Sequence, residues 1–247
     1  MDHDAFVAHV RADADRIAEL AATGRLDEPA PTCPGWSIRD VVEHIAEVYL
    51  HKVASMRDKV LPDESTPGWP PPRGTESTPE YFTAARAAVL HELTSREPGE
   101  ACPTWWTDDQ TVGFWGRRMA HESVIHRLDV EIASGDVTSV DPDLAVDGID
   151  EVLRRMLAGD WSDDPVAEGA GTVLGLESGG RRWRIILEPK AVVVTVPRHD
   201  YPVDATVSGD PVTVYRWAWG RGDAEGVTVD RDARYLHVLR ARLAAAT

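Results

Sequence analysis

Near Gly171 the hydrophobic pattern of this chain changes period, and no other feature limits the fold so strongly. Up to about residue 158, apolar residues recur at three- and four-residue steps. Beyond Gly171 they alternate or run β-branched, in TVLGLES, RRWRIILE, AVVVTVP and DATVSG, separated by Gly-Gly, Pro-Lys and His-Asp-Tyr-Pro. The reading is α, then α+β: a helical bundle over 1–160 followed by a small α+β domain over 161–247. The acidic, Gly-rich stretch 159–171 reads as the linker, and 247 residues suffice for two modest cores.

Four helices are expected in the first part. One covers 4–23, with Phe6, Val10, Ile17 and Leu20 inward. A second is opened by Ser37 as N-cap with Asp40 in the capping-box position, and carries Val41, His44, Ile45 and Val48 on its apolar side. Residues 62–79, with six prolines, form an extended loop that is a plain solvated loop or the border of a pocket. Thr78 is read as the cap of a third helix over 79–96. The fourth, Trp115 to Ser134, reads as amphipathic from Met119, Ile125, Leu128 and Ile132, with Gly135 as its C-terminal cap. Four such helices suggest a bundle. Shorter helices follow at 142–158, 210–219 and 231–245, with GVTVDRD as a strand or turn.

A formal net charge of −16 and no Lys/Arg face argue against nucleic acid or an anionic membrane as partner. The N-terminus lacks the charged and apolar regions of a signal peptide, and no apolar run reaches the length of a membrane span. Two cysteines, Cys33 and Cys102, are too few for a disulfide framework, so the expected setting is the reduced cytoplasm. The chain is expected to act as a monomer or homodimer.

Chemistry concentrates in the fourth helix. Glu122 and His126 stand four apart, so their side chains lie on one face and one ion could be held by both. His121 is rotated by about 100° from Glu122 and points elsewhere. A Glu/His pair at this spacing is more often a solvated pair, and an inward His such as His44 more often a satisfied core residue. Together, the three supply two imidazoles and a carboxylate from facing helices, which leaves a fourth coordination position open, as catalytic zinc sites do. Residue types alone also admit nickel or iron. His51 is a pocket candidate on the same stripe as His44. Asp129 could orient a ligand His, but Arg127 and Arg39 offer it equally good partners. Trp36, Trp105, Trp106 and Trp115 read as core and pocket wall.

TCPGWSIRDVVEH (Thr32 to His44), AHESVIHRLD (Ala120 to Asp129) and DATVSGDPVTVYRWAWGR (Asp204 to Arg221) resemble the mycothiol-dependent maleylpyruvate isomerase family. That resemblance implies a DinB-like metal-binding four-helix bundle joined to a sterol-carrier-like C-terminal domain. It implies zinc on His44, Glu122 and His126, and mycothiol, a sugar-linked cysteine thiol of actinobacteria, as cosubstrate. It also implies a catalytic Arg in the C-terminal domain, matched here to Arg221, with Arg216 close by. The implied activity is isomerisation or S-transfer on a small electrophile such as maleylpyruvate. The contrasting reading is a metal-containing protein without catalysis whose C-terminal domain binds an apolar ligand.

Overall fold

The computed structural model describes residues 1–63, 65–71, 73–163 and 168–247. The loop expected over 62–79 and the linker over 159–171 therefore fall partly on residues outside those described. The chain divides into two compact units, Met1–Thr138 and Ser139–Thr247. This division precedes the 160/161 boundary expected from composition, because the helix after Gly135 packs with later elements of the chain, chiefly the helix over 211–218. That helix, α5 (Pro142–Glu151), buries Leu144, Ala145 and Ile149. Trp219 Nε1 donates to its Gly148 carbonyl at 3.1 Å, and Trp183 Nε1 to Asp150 Oδ1 at 2.8 Å. It continues into a π-helical segment, Val152–Leu157.

The first unit is a bundle of α1 (His3–Ala21), α2 (Ile38–Arg57), α3 (Thr78–Ser95) and α4 (Val112–Ser134). Helix α1 packs on α3 and α4, and α2 on α3 and α4. Ser37 opens α2 as expected. Its N–H and hydroxyl donate to Asp40 at 2.7 and 2.6 Å, and the Asp40 N–H donates back to Ser37 Oγ at 3.3 Å. In α3 the cap is Ser77 rather than Thr78, since Glu80, three residues on, accepts from the Ser77 N–H and hydroxyl. Thr111 caps α4, accepting from the Phe114 N–H at 3.2 Å. Gly135 ends it at φ 77°, in the left-handed region that costs glycine least.

One expectation fails for α4, which is not amphipathic. Its residues from Val112 to Glu131 are buried on nearly every side. The polar side chains that read as a wet face are matched inside the bundle, as buried charges must be. Arg127 donates to Asp13 and to Glu131, each at 2.6 Å, Arg16 donates to Glu131 at 3.1 Å, and Tyr49 pairs with Ser123 at 2.7 Å.

In the second unit six strands form one sheet in the order β1-β4-β3-β2-β5-β6. They are β1 (Gly159–Asp160), β2 (Thr172–Ser178), β3 (Arg181–Leu187), β4 (Ala191–Thr195), β5 (Ala205–Ser208) and β6 (Thr228–Val229). Pairing is antiparallel except between β2 and β5. Gly179 and Gly180, at φ 55° and 74°, close the β2–β3 hairpin in the two-residue form that needs positive φ twice. Leu174, Leu176, Trp183, Ile185 and Leu187 form the buried face. Helices α6 (Pro211–Ala218) and α7 (Arg234–Ala246) complete the unit. Among the described residues no helix is long and apolar enough to cross a membrane.

Candidate functional site

Helix α2 carries His44 and α4 carries Glu122 and His126, and the packing of these helices sets His44 against His126, which in turn meets Glu122. The rings of His44 and His126 lie edge-to-face with centroids 5.0 Å apart. His126 Nε2 is 3.3 Å from Glu122 Oε2. On its other side, His126 Nδ1 donates to Asp129 Oδ2 at 2.9 Å, and the Thr32 hydroxyl donates to Asp129 Oδ1 at 2.5 Å. A carboxylate can only accept, so Asp129 places a proton on Nδ1. In neutral His126, Nε2 then carries a lone pair that faces a carboxylate oxygen. Two acceptors at that separation are held by a proton or a cation between them.

The spacing suits a metal. Two donors on one tetrahedral zinc, each about 2.05 Å away, stand about 3.3 Å apart. The third donor is less ready. Glu122 also takes an ion pair from Arg118, one turn earlier, and among the described residues no three His, Cys, Asp or Glu side chains form a group that could hold an ion as it stands. His44 is half-buried, with the Trp36 ring 5.1 Å away. Burial, and after it the neighbouring His126, pushes its pKa down to about 4, so the imidazole is neutral at pH 7 with a lone pair to give.

His44 lines two cavities. One, of about 400 Å³, is shared with His51, Lys52, Asp63 and Trp69. The other, of about 380 Å³, lies against Gly35, Trp36, Asp40 and Glu43. His51 is thus a wall residue, and Trp36 is a partly exposed rim. Trp115 is fully buried, whereas Trp105 is 40% exposed and belongs to no core. His121 is also fully buried, edge-on to Phe6 at 6.2 Å, away from the pair.

Arg221 belongs to the second unit, just after α6. Its Nη1 donates to the Trp219 carbonyl at 2.7 Å, and its own carbonyl accepts from Arg216 Nε at 3.1 Å. Arg240 lies near enough that burial, and then Arg221, lower its pKa, which marks a local concentration of positive charge.

Two residues were under-read in the sequence. Asp129 takes His126, because Arg127 is used by Asp13 and Glu131, and Arg39 by Asp27 at 2.8 Å. Lys52 lines the His44 cavity. The signal was present: from His44, positions 48, 51 and 52 continue the i+4, i+7, i+8 stripe that faces a helix's partners, and a lysine in that stripe is unusual.

A four-helix bundle with a paired histidine and carboxylate, followed by a small mixed sheet with helices, defines the class of protein. Residues 7–131 match the mycothiol maleylpyruvate isomerase N-terminal domain, and residues 143–236 the MDMPI C-terminal domain. Two uncharacterized proteins of Mycobacterium tuberculosis, from two strains, are each 32% identical over 164 residues, covering 63% of this chain and 80% of the relative. Two crystal structures of a mycothiol-dependent maleylpyruvate isomerase, one of them a mutant, share the fold over 93% of both chains. Their TM-scores are 0.63 and 0.57, at 14% and 16% identity. The chain belongs to the mycothiol maleylpyruvate isomerase family.

Proposed function

We propose that this protein is a metal-dependent, thiol-using enzyme of the cytoplasm that takes mycothiol as cosubstrate and isomerises, or transfers the thiol to, a small unsaturated keto acid such as maleylpyruvate. The observation that carries this reading is the 3.3 Å approach of His126 Nε2 to Glu122 Oε2, with Nδ1 pinned by Asp129. His44, Glu122 and His126 are the proposed ligands, with zinc as the metal the donor set favours and nickel or iron as alternatives. A divalent cation held there would supply Lewis acidity that favours the thiolate form of a thiol, which a free thiol near pKa 8.5 supplies poorly at neutral pH.

The chain's own residues do the rest. Asp129 holds the His126 tautomer, and burial keeps His44 neutral. The thiolate sulfur adds to the carbon–carbon double bond conjugated with the ketone, and the electron pair moves onto the ketone oxygen. Rotation about the resulting single bond and expulsion of the sulfur give the trans product and regenerate the thiolate. Arg221 is the proposed clamp for a substrate carboxylate. One cavity of the second unit, of about 280 Å³, is lined by Arg216, Asp223 and Glu225 with Val212, Thr213 and Gly222, a lining that suits a charged ligand better than an apolar one.

Metal analysis of His44→Ala, Glu122→Ala and His126→Ala tests the reading, together with an isomerase assay of the wild-type protein with mycothiol. Each variant should lose most bound zinc and keep its helical circular dichroism, whereas His121→Ala should lower Tm but keep zinc. Full occupancy in the His44→Ala protein would overturn the three-ligand set. Wild-type protein that binds neither zinc nor thiol would overturn the function.

A further inference from the structure

Lys52 sits in the His44 cavity on helix α2. Its Nζ lies 3.1 Å from His51 Nδ1 and 4.6 Å from the centroid of the Trp115 ring. His51 Nε2 donates to the Pro62 carbonyl at 2.8 Å, so Nδ1 is the acceptor of that ring and the lysine the donor. Among the described residues no carboxylate lies within ion-pair distance of this lysine. Burial, and then Arg118, a charge of its own sign, push its pKa down to about 7. Among the described residues this half-buried lysine has no counter-ion, and it faces a cavity beside an arginine. Such a desolvated charge is costly unless an anion arrives to pair with it.

The charged groups around it leave room for that anion. His44 and His51, from the same helix, are both kept neutral near pH 7 by burial. Arg118, from α4, already holds Glu122. Asp63, from the loop, is turned into its own turn, accepting from the Ser65 N–H at 2.8 Å and the Ser65 hydroxyl at 2.6 Å. Glu47 is exposed on α2. We propose that Lys52 binds a carboxylate of the substrate within the His44 cavity. This deepens the proposed function and rests on it. Lys52 therefore acts as a binding residue in the bundle itself, and the anion is drawn in by a local cation against the acidity of the whole chain.

The test is calorimetric titration of the full-length protein with maleate, a small dicarboxylate, at pH 6.5 and 8.5. Because the ammonium form binds, affinity should be near its maximum at pH 6.5 and fall about tenfold or more by pH 8.5 as the lysine loses its proton. Lys52→Met should weaken binding at pH 6.5 by about tenfold or more. Its Tm and zinc content should hold, since it removes a half-buried charge that has no carboxylate partner among the described residues. Lys52→Arg should keep binding and flatten the pH dependence, because a guanidinium stays charged. Wild-type protein that fails to bind maleate, a Lys52→Met protein that binds as tightly as wild type, or a Lys52→Arg protein with the wild-type pH profile would each overturn the proposal. Zinc and mycothiol titrations of the same samples keep the two failures apart, since neither depends on Lys52.

Discussion

Asp129 offers the sharpest quantitative test of the site, because it touches His126 and reaches the proposed metal only through it. The His126–Asp129 hydrogen bond is 2.9 Å long, between side chains that are 9% and 0% exposed. A charge-assisted hydrogen bond of this kind is worth roughly 1.5–3 kcal/mol. Removing it in Asp129→Ala frees the ring to turn and to take the other tautomer, so zinc affinity should fall by about 10- to 100-fold. Asp129→Asn keeps an acceptor oxygen of the same shape without the charge. Its loss should be about half in free energy, roughly 1 kcal/mol or fivefold. Thr32→Val removes only the donor to the opposite carboxylate oxygen and should cost less than either. The assay is competition for zinc against a chromophoric chelator at pH 7, well below Tm, with circular dichroism to check the fold. Asp129→Ala with zinc affinity within threefold of wild type, or with tighter binding than Asp129→Asn, would refute the positioning role.

Arg221→Ala should retain zinc and thiol binding yet lose most turnover, and Arg221→Lys should recover part of it, because lysine lacks the bidentate fork; equal kcat/KM in wild type and Arg221→Ala would sink that assignment. Asp13 provides a pH test of the bundle: burial outweighs the pull of Arg127 and raises its carboxyl from 3.8 to about 6. The folded state thus holds this proton more tightly than the unfolded chain, so the contribution is favourable at low pH and is lost as pH rises from about 4 to 6, by up to about 3 kcal/mol. Urea denaturation at pH 4.5 and 7 should show that slope reduced in Asp13→Asn, and an unchanged slope would refute it.

The features legible in the sequence depend on neighbours along the chain. Ser37 and Asp40 cap α2 because the capping box closes within three residues, and Gly135 ends α4 because a left-handed cap is a property of one residue. The strands of the second unit follow from period-two alternation, and Glu122 and His126 meet because four residues make about one helical turn. The same reasoning reached for Thr78 where Ser77 caps α3, a shift of one residue that Glu80 decides.

Where the choice lay between distant partners, only the tertiary structure decided. Asp129 had three plausible partners by sequence, and it took His126 because Arg127 turned to Asp13, more than a hundred residues earlier. Helix α4 looked half-wet because its charges were counted as solvated. Packing against α1 and α2 buried them and paired them instead. The helix after Gly135 reads as the end of the bundle, yet two tryptophans far along the chain tie it to the second unit, Trp183 from strand β3 and Trp219 from the end of helix α6. Helical period reports which residues share a face, and says nothing of what covers that face. Which face stays dry, and which donor each buried carboxylate meets, is set by contacts between segments that the linear order does not bring together.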